Sequence, residues 1–426
     1  MSSTPYKHVV LVDCDNFYVS CERLFNPSLN KRAVIVLSNN DGCVVARSQE
    51  AKMLGIKMGD PFFQIKQLCE RLKVLVYSSN YSLYGDISQR IMHILGTMAE
   101  EIEIYSIDEA FLTFSSKSPE DLLNHCTEIR RIIKKWVGIS VSIGIASTKT
   151  LAKVATSIAK KNGHGVALLN SDIENVLKKI PVEDVWGIGS STKVKLHARS
   201  ITTAWEFQKQ DPSSIRKLLG VVGERMLWEL KGRSCLPMEQ VAAKKSIASS
   251  RSFGKVVTEL TELAEALSTY VNTACAKLRQ QGSSAQAICV YLELAIDYQS
   301  NEPYTGPRQH STVMSFNSPT NDTPQIITAS KSCLTYLYRE GLRYKKCGVI
   351  LLDLIPESQV SPDLFLKNPD KNRQTVAKVF DNLNKRFGKN TLFYGAMGVN
   401  PKWKMRSQKR SDGNSSSWDN MPIVKS

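Results

Sequence analysis

No stretch of the chain approaches the ~20 consecutive apolar residues that a membrane-spanning helix needs. The opening residues, Met1-Ser-Ser-Thr-Pro-Tyr-Lys7, lack the apolar core of a secretory leader, and no basic amphipathic anchor stands out. Cysteine occurs ten times but never as a CxxC pair. The ten are scattered, mostly inside apolar segments, and read as small buried side chains in a reducing compartment rather than as disulfides or zinc ligands. Acidic residues are the minority charge, 40 against 56 Lys and Arg, for a net charge of +16. These features argue against a membrane, secreted or disulfide-stapled protein and lead us to expect a cytoplasmic one.

So strong a basic excess predicts a polyanionic partner, because Lys and Arg gain by neutralising phosphates. Hydrophobic residues make up 42% of the chain, enough for a folded protein, and 426 residues exceed one ordinary core, so several domains are expected.

Residues 7–13 read as a buried strand ending at Asp13, followed by a turn and a short helix with Phe17 and Tyr18 in its first turn. Residues 25–80 look like a small inserted unit: a strand at 33–37, a polar turn, a helix at 46–54, a second helix and a strand at 74–77. Then come a helix at 81–97, strands at 101–107 and 110–114 with an acidic bend between them, and a helix signposted by Ser118, Pro119 and Gly138. A strand at 139–145 and a helix at 148–161 complete the unit. Without the insertion the order is β-α-β-β-α-β, the ferredoxin-like or split βαβ pattern. Residues 178–236 read as compact and helical. A polar linker around 237–245 leads to a second βαββαβ pattern over 246–355. The tail from about 356 is polar and basic, and we expect little order of its own there. The fold class is therefore α+β and multidomain.

Two adjacent carboxylates, Asp108 and Glu109, occupy the bend in Tyr105-Ser-Ile-Asp-Glu-Ala-Phe111. Neighbouring residues in a regular strand point to opposite faces, so both acids reach one site only if the backbone bends. Together with Asp13 they would repel unless cations sat between them. Mg²⁺ prefers such oxygen ligands, and a pair of ions ~3.5–4 Å apart suits in-line displacement at phosphorus. Lys149, Lys153 and Lys160 fall roughly on one face of the helix at 148–161, and Lys52, with Arg47 before it, adds charge from the inserted unit. Trp186-Gly-Ile-Gly189, ahead of Lys193 and Lys195, suits a phosphate-binding hairpin and equally a plain helix-connecting turn.

Asp13-Cys-Asp-Asn-Phe-Tyr18, Leu37-Ser-Asn-Asn-Asp-Gly-Cys-Val-Val-Ala-Arg47, Gly59-Asp-Pro-Phe62, the acidic bend and Asp184-Val-Trp-Gly-Ile-Gly189 together resemble the Y-family, lesion-bypass DNA polymerases. The Ser-Asn-Asn-Asp-Gly-Cys run and Ser250-Arg-Ser-Phe-Gly254 point to their UmuC-type branch, the catalytic subunits of bacterial DNA polymerase V. The resemblance implies a palm (1–24 and 81–177), fingers (25–80), a thumb (178–236), a little finger (246–355) and a basic tail (356–426). It implies that Asp13, Asp108, Glu109 and the Cys14 carbonyl hold two Mg²⁺ ions. Phe17, Tyr18, Lys52 and Lys160 would bind the nucleotide, with Tyr18 the gate against a ribose 2′-hydroxyl. Gly187, Gly189, Lys193, Lys195 and Arg251 would meet DNA. The expected activity is error-prone, template-directed synthesis past damaged bases in the SOS response, without a proofreading exonuclease. Primer–template DNA and dNTPs would be substrates, and a UmuD-type accessory dimer and RecA would be partners. Leu364 and Phe365 would give a weak sliding-clamp contact, since the usual Gln is missing. Asp15 departs from the pattern, standing where this branch usually carries Asn. A nucleotidyl cyclase on a palm domain and an inactive DNA-binding scaffold are the rival readings.

Overall fold

Strand β1 (His8–Cys14) organises the first part of a computed structural model that describes residues 8–114, 118–239, 243–295, 306–360 and 371–412. Its sequence, His-Val-Val-Leu-Val-Asp-Cys, is apolar on both faces, as a central strand must be. Side chains alternate across the sheet. Val10 and Val12 accordingly join one core cluster, and Val9 and Leu11 join another on the opposite face.

The chain divides into two compact units, residues 1–38 with 42–241 and 409–426, and residues 39–41 with 242–408. In the first, β1 is followed by α1 (Phe17–Phe25), β2 (Val34–Leu37), β3 (Val44–Arg47), α2 (Gln49–Met53), α3 (Phe62–Arg71) and β4 (Leu75–Ser78). Next come α4 (Tyr81–Met98), β5 (Glu101–Ile104), β6 (Glu109–Phe114), α5 (Pro119–Trp136), β7 (Val141–Ala146), α6 (Lys149–Asn162) and β8 (Val166–Leu168). The main sheet has the order β5-β6-β1-β7-β8, which is the split βαβ arrangement with one strand added beside β7. Helices α4 and α5 pack on one face with Val10 and Val12, and α6 packs on the other with Val9 and Leu11.

One local expectation is corrected, and one strand is added. Ala46 and Arg47, expected to open a helix, instead end the strand at 44–47 that pairs with β2. Val44 and Val45 suit a pleated strand, and the helix starts only after Ser48, whose Oγ accepts from the Ala51 N–H at 3.2 Å. Strand β8 is too short, at three residues, to leave a periodic signal.

Helices α7 (Ile173–Lys178), α8 (Ser190–His197), α9 (Ala204–Gln208) and α10 (Pro212–Leu230) follow, and their apolar faces share a cluster with α6. The second unit contains β9 (Ile247–Val257), α11 (Leu260–Gln280), β10 (Ser283–Leu294), β11 (Gln309–Thr320), α12 (Thr323–Leu337) and β12 (Tyr344–Leu352), with sheet order β11-β10-β12-β9. Beyond it the chain holds more order than its composition suggests. Helix α13 (Lys371–Phe387) is tied on by a two-bond pair from Arg279 to Asp381, at 2.7 and 2.9 Å, and Trp403 is buried against Phe253 and Tyr270.

Gly144 on β7 sets how closely α6 lies on the sheet. A Cβ there would stand 2.2 Å from the Thr156 nitrogen and 2.3 Å from the Ala152 oxygen, both helix backbone. Gly144→Ala must push α6 off the sheet, so we expect a loss of ~2 kcal/mol or more in urea unfolding, the scale of overpacking in a tight core.

Candidate active site

Asp13 near the end of β1 and Glu109 at the start of β6 are register partners on adjacent antiparallel strands. Like charges set directly opposite across a strand pair destabilise it. The compensation comes from α6. Lys160 Nζ lies 2.6 Å from Asp13 Oδ1, and Lys153 Nζ donates to both Glu109 oxygens at 3.0 Å. The two lysines are seven residues apart, two turns, and therefore share a helix face.

Asp108 stays in the bend, just ahead of β6. Ser106 Oγ donates to Asp108 Oδ1 at 2.5 Å and accepts from the Glu109 N–H at 3.1 Å, while the Cys14 N–H donates to the Asp108 carbonyl at 2.9 Å. The bend thus aims Asp108 and Glu109 differently. Among the described residues, no group of three or more His, Cys, Asp or Glu side chains is gathered closely enough to hold a metal as it stands. The expected convergence of three carboxylates is not formed, and lysine ammonium groups meet Asp13 and Glu109 instead. The donor set still fits a hard divalent cation. It is all oxygen, and it demands positive charge: burial first, with Glu109 adding to it, lifts the Asp13 carboxyl to about 7 against the opposing pull of Lys160. Asp15 is held off by Ser142, whose Oγ donates to its Oδ1 at 2.8 Å.

A cleft of about 330 Å³ opens here, lined by Leu11, Asp13, Glu109, Lys153, Lys160 and Trp186 among others. Tyr105 and Trp186 stand against Lys153, a contact that sequence reasoning did not foresee. The Trp186 Nε1–H donates to Tyr105 Oη at 3.1 Å, and Lys153 Nζ lies 4.7 Å and 5.2 Å from the two ring centres. Such cation–π contacts fix the ammonium over the cleft. Their only signal in the sequence is an aromatic beside each motif.

Lys149 is a correction. It is buried, donates to Glu103 at 2.5 Å and to the Pro237 carbonyl at 2.8 Å, and does not share the cleft. Lys52 is exposed, and burial followed by the nearby charges of Arg47 and Lys160 lowers its pKa. Arg47 Nη1 donates to the Ile56 carbonyl. Phe17 is 3% exposed and belongs to the core, whereas Tyr18 is half-buried. The Tyr18 ring stacks on Tyr84, centroids 4.3 Å apart and planes 15° apart, with its phenol pushed up to about 12 mainly by burial.

Gly187 adopts φ +94°, and any Cβ there would strike Met226 Sδ. Gly189 precedes α8 as its N-cap. Lys193 is engaged by Glu183 at 2.6 Å, and its hydrogen bond holds that carboxyl down to about 2. Lys195 is exposed beside Arg199 and Lys217 in a second concavity, and Arg251 is exposed on β9 of the other unit. Leu364 and Phe365 lie outside the described residues. Among the described residues no helix is long and apolar enough to cross a membrane.

The fold is that of Y-family DNA polymerases. A Y-family DNA polymerase chimera of Dbh and Dpo4 superposes with a TM-score of 0.66 at 20% identity, covering 82% of this chain and 99% of the other. DinB from Sulfolobus solfataricus superposes at 0.53 with 22% identity and the same coverage. Residues 12–157 match the impB/mucB/samB family, residues 244–364 its C-terminal domain, and residues 374–424 a domain of unknown function. Protein UmuC of Salmonella typhimurium is 41% identical over 93% of this chain and 95% of its own. Protein ImpB of the same organism is 37% identical over 97% and 99%. DNA polymerase IV of Desulfatibacillum aliphaticivorans is 28% identical over 90% and 95%. The chain belongs to the impB/mucB/samB family.

The raised carboxyl of Asp13 has a consequence for stability. A folded-state value near 7 against an ordinary 3.8 means the folded chain keeps a proton that the unfolded chain has lost. Without added metal, stability should therefore fall as pH rises from about 4 to about 7. Thermal melts of Asp13→Asn should show a flatter profile over that window, and an unchanged slope would contradict the assignment.

Proposed function

We propose that this chain is an error-prone, template-directed DNA polymerase that extends primers past damaged bases, by nucleotidyl transfer at the Asp13–Glu109 cleft. The observation that carries the reading is this opposed acid pair, faced by two lysines of one helix, within a basic chain of this fold. The primer 3′-oxygen forms a bond to the α-phosphorus of a dNTP, and pyrophosphate leaves.

Asp13, Asp108, Glu109 and the Cys14 carbonyl hold the divalent ions, two Mg²⁺ in this reading. Such ions, when bound, lower the pKa of the attacking hydroxyl and neutralise the triphosphate. Lys160, on the rim of the cleft, turns from Asp13 to the triphosphate, and Lys52 adds charge from the fingers side. Tyr18 lies under the sugar, where a ribose 2′-hydroxyl would strike its ring. Gly187, Gly189, Lys193, Lys195 and Arg251 meet the DNA backbone. This reading assigns the palm to 1–24 and 81–177, the fingers to 25–80, the thumb to 178–236, the little finger to 246–355 and the tail to 356–426. No segment is assigned to a proofreading exonuclease. A UmuD-type dimer, RecA and a weak clamp contact through Leu364 and Phe365 complete the reading. A nucleotidyl cyclase would need neither the helical unit with its glycine hairpin nor a second basic βαββαβ unit.

Asp108→Ala and Glu109→Ala should each abolish primer extension while leaving primer–template binding intact; measurable extension by Asp108→Ala would sink the metal assignment. Lys160→Ala should raise the KM for dNTP about tenfold or more, the loss of a charge-assisted contact worth ~1.5–3 kcal/mol. An unchanged KM removes Lys160 from the triphosphate. Product formation from NTP alone, without primer, would favour the cyclase.

A further inference from the structure

The segment Lys409–Asp412 lies far along the chain from Tyr18 and yet belongs to the same compact unit. It runs beside β4, with the Ser78 N–H donating to the Lys409 carbonyl and the Lys409 N–H donating to Ser78 Oγ, both at 3.0 Å. Arg410 Nη2 then donates to Asn80 Oδ1 at 3.0 Å and to Ser82 Oγ at 2.7 Å. Asn80 is fully buried and caps α4, accepting from the Leu83 N–H, and its Nδ2 donates to Ser411 Oγ at 3.0 Å and to the Asp412 carbonyl at 3.1 Å. The segment thus grips the first turn of the helix that carries Tyr81 and Tyr84.

A second grip is more direct. Glu22 on α1 is 3% exposed, and its Oε1 accepts from Tyr84 Oη at 2.6 Å and from Ser411 Oγ at 3.1 Å. A buried carboxylate persists only where polar partners compensate its lost water. Here one partner comes from the tail, and the other is the tyrosine on which Tyr18 stacks. Tyr84 has no exposed surface, and Tyr81 meets the edges of both rings, so the stack is set by what holds Tyr84.

We propose that Lys409–Asp412 is a brace for the sugar gate, setting the position of Tyr18 through Ser411, Glu22 and Tyr84 and through the Asn80 cap of α4. Ser411, Glu22, Asn80 and Tyr84 are positioning residues; none is placed against the nucleotide. The inference rests on the reading of Tyr18 as the gate. It gives a role to part of the stretch that matches a domain of unknown function.

The test is single-nucleotide insertion by the full-length chain, with accessory dimer and activated RecA in every arm, comparing rNTP with dNTP. Ser411→Ala and Arg410→Ala should each raise the rNTP-to-dNTP ratio about fivefold or more, part of the cost of a lost charge-assisted hydrogen bond, with dNTP insertion nearly unchanged. Ser411→Thr, which keeps the hydroxyl, should restore discrimination. Tyr18→Ala should raise the ratio by itself, and adding Ser411→Ala to it should change nothing more. A role in stability alone would lower both insertions together and leave the ratio in place, which overturns the brace. Additive effects in the double variant also overturn it. If Tyr18→Ala raises the ratio and neither tail variant does, the gate stands and the brace falls. If Tyr18→Ala leaves the ratio alone, the gate reading fails and takes the brace with it.

Discussion

Two carboxylates facing each other across β1 and β6 are the constraint on which the first unit depends. The strand pairing alone would force Asp13 and Glu109 together at a cost, which cations at these strand ends, or a proton on Asp13, relieve. Helix α6 supplies the cations, and it reaches because Gly144 lets its backbone settle onto β7. The other side of the same helix carries Leu151, Ala152 and Ala155 into the core, so the charge pairing and the apolar packing fix one orientation together. Neither term alone would determine where Lys153 and Lys160 point.

The helical unit after β8 is joined to this arrangement by buried polar groups as well as by apolar contact. Glu229 has no exposed surface. Its carboxylate accepts from the backbone N–H groups of Thr150, Cys235 and Leu236, which bridges α10 to the start of α6. A carboxylate so satisfied resists displacement, because breaking the network would strand buried donors. Trp186 adds a contact at the cleft itself, against Tyr105 and over Lys153. The acidic bend is therefore held from three sides: by β1, by α6 and by the Trp-Gly-Ile-Gly turn.

Much of this was legible in the sequence. Apolar β-branched runs and the Ser-Pro start of α5 located the sheet strands and helices, because burial and capping each leave a local signature. The pairing of Asp13 with Glu109 was legible as a need for cations, though not as a register. Three features were not readable. Lys149 shares a face with Lys153 by spacing, but the Glu103 carboxylate that captures it comes from β5, and periodicity carries no such information. Ala46 and Arg47, the end of a strand, read as the start of a helix because only the partner β2 decides the matter. The tail read as unstructured because polar composition hides single anchors; Trp403, Arg410 and Ser411 act one residue at a time.

The lysines of α6 also explain how two acids can face each other across β1 and β6. Lys160 and Lys153 pair with Asp13 and Glu109 and offset their repulsion at these strand ends. On the proposed reading, divalent ions and a triphosphate enter as a nearly balanced set of charges. The carboxylates would then hold the ions, and Lys160, already 41% exposed at its side chain, would be free to meet phosphate. Lys153 is less free to do so, at 19% exposed and enclosed by Tyr105 and Trp186. The two lysines then differ in task for a physical reason. One sits where it can follow the substrate, and the other is built into the wall that keeps Glu109 in place.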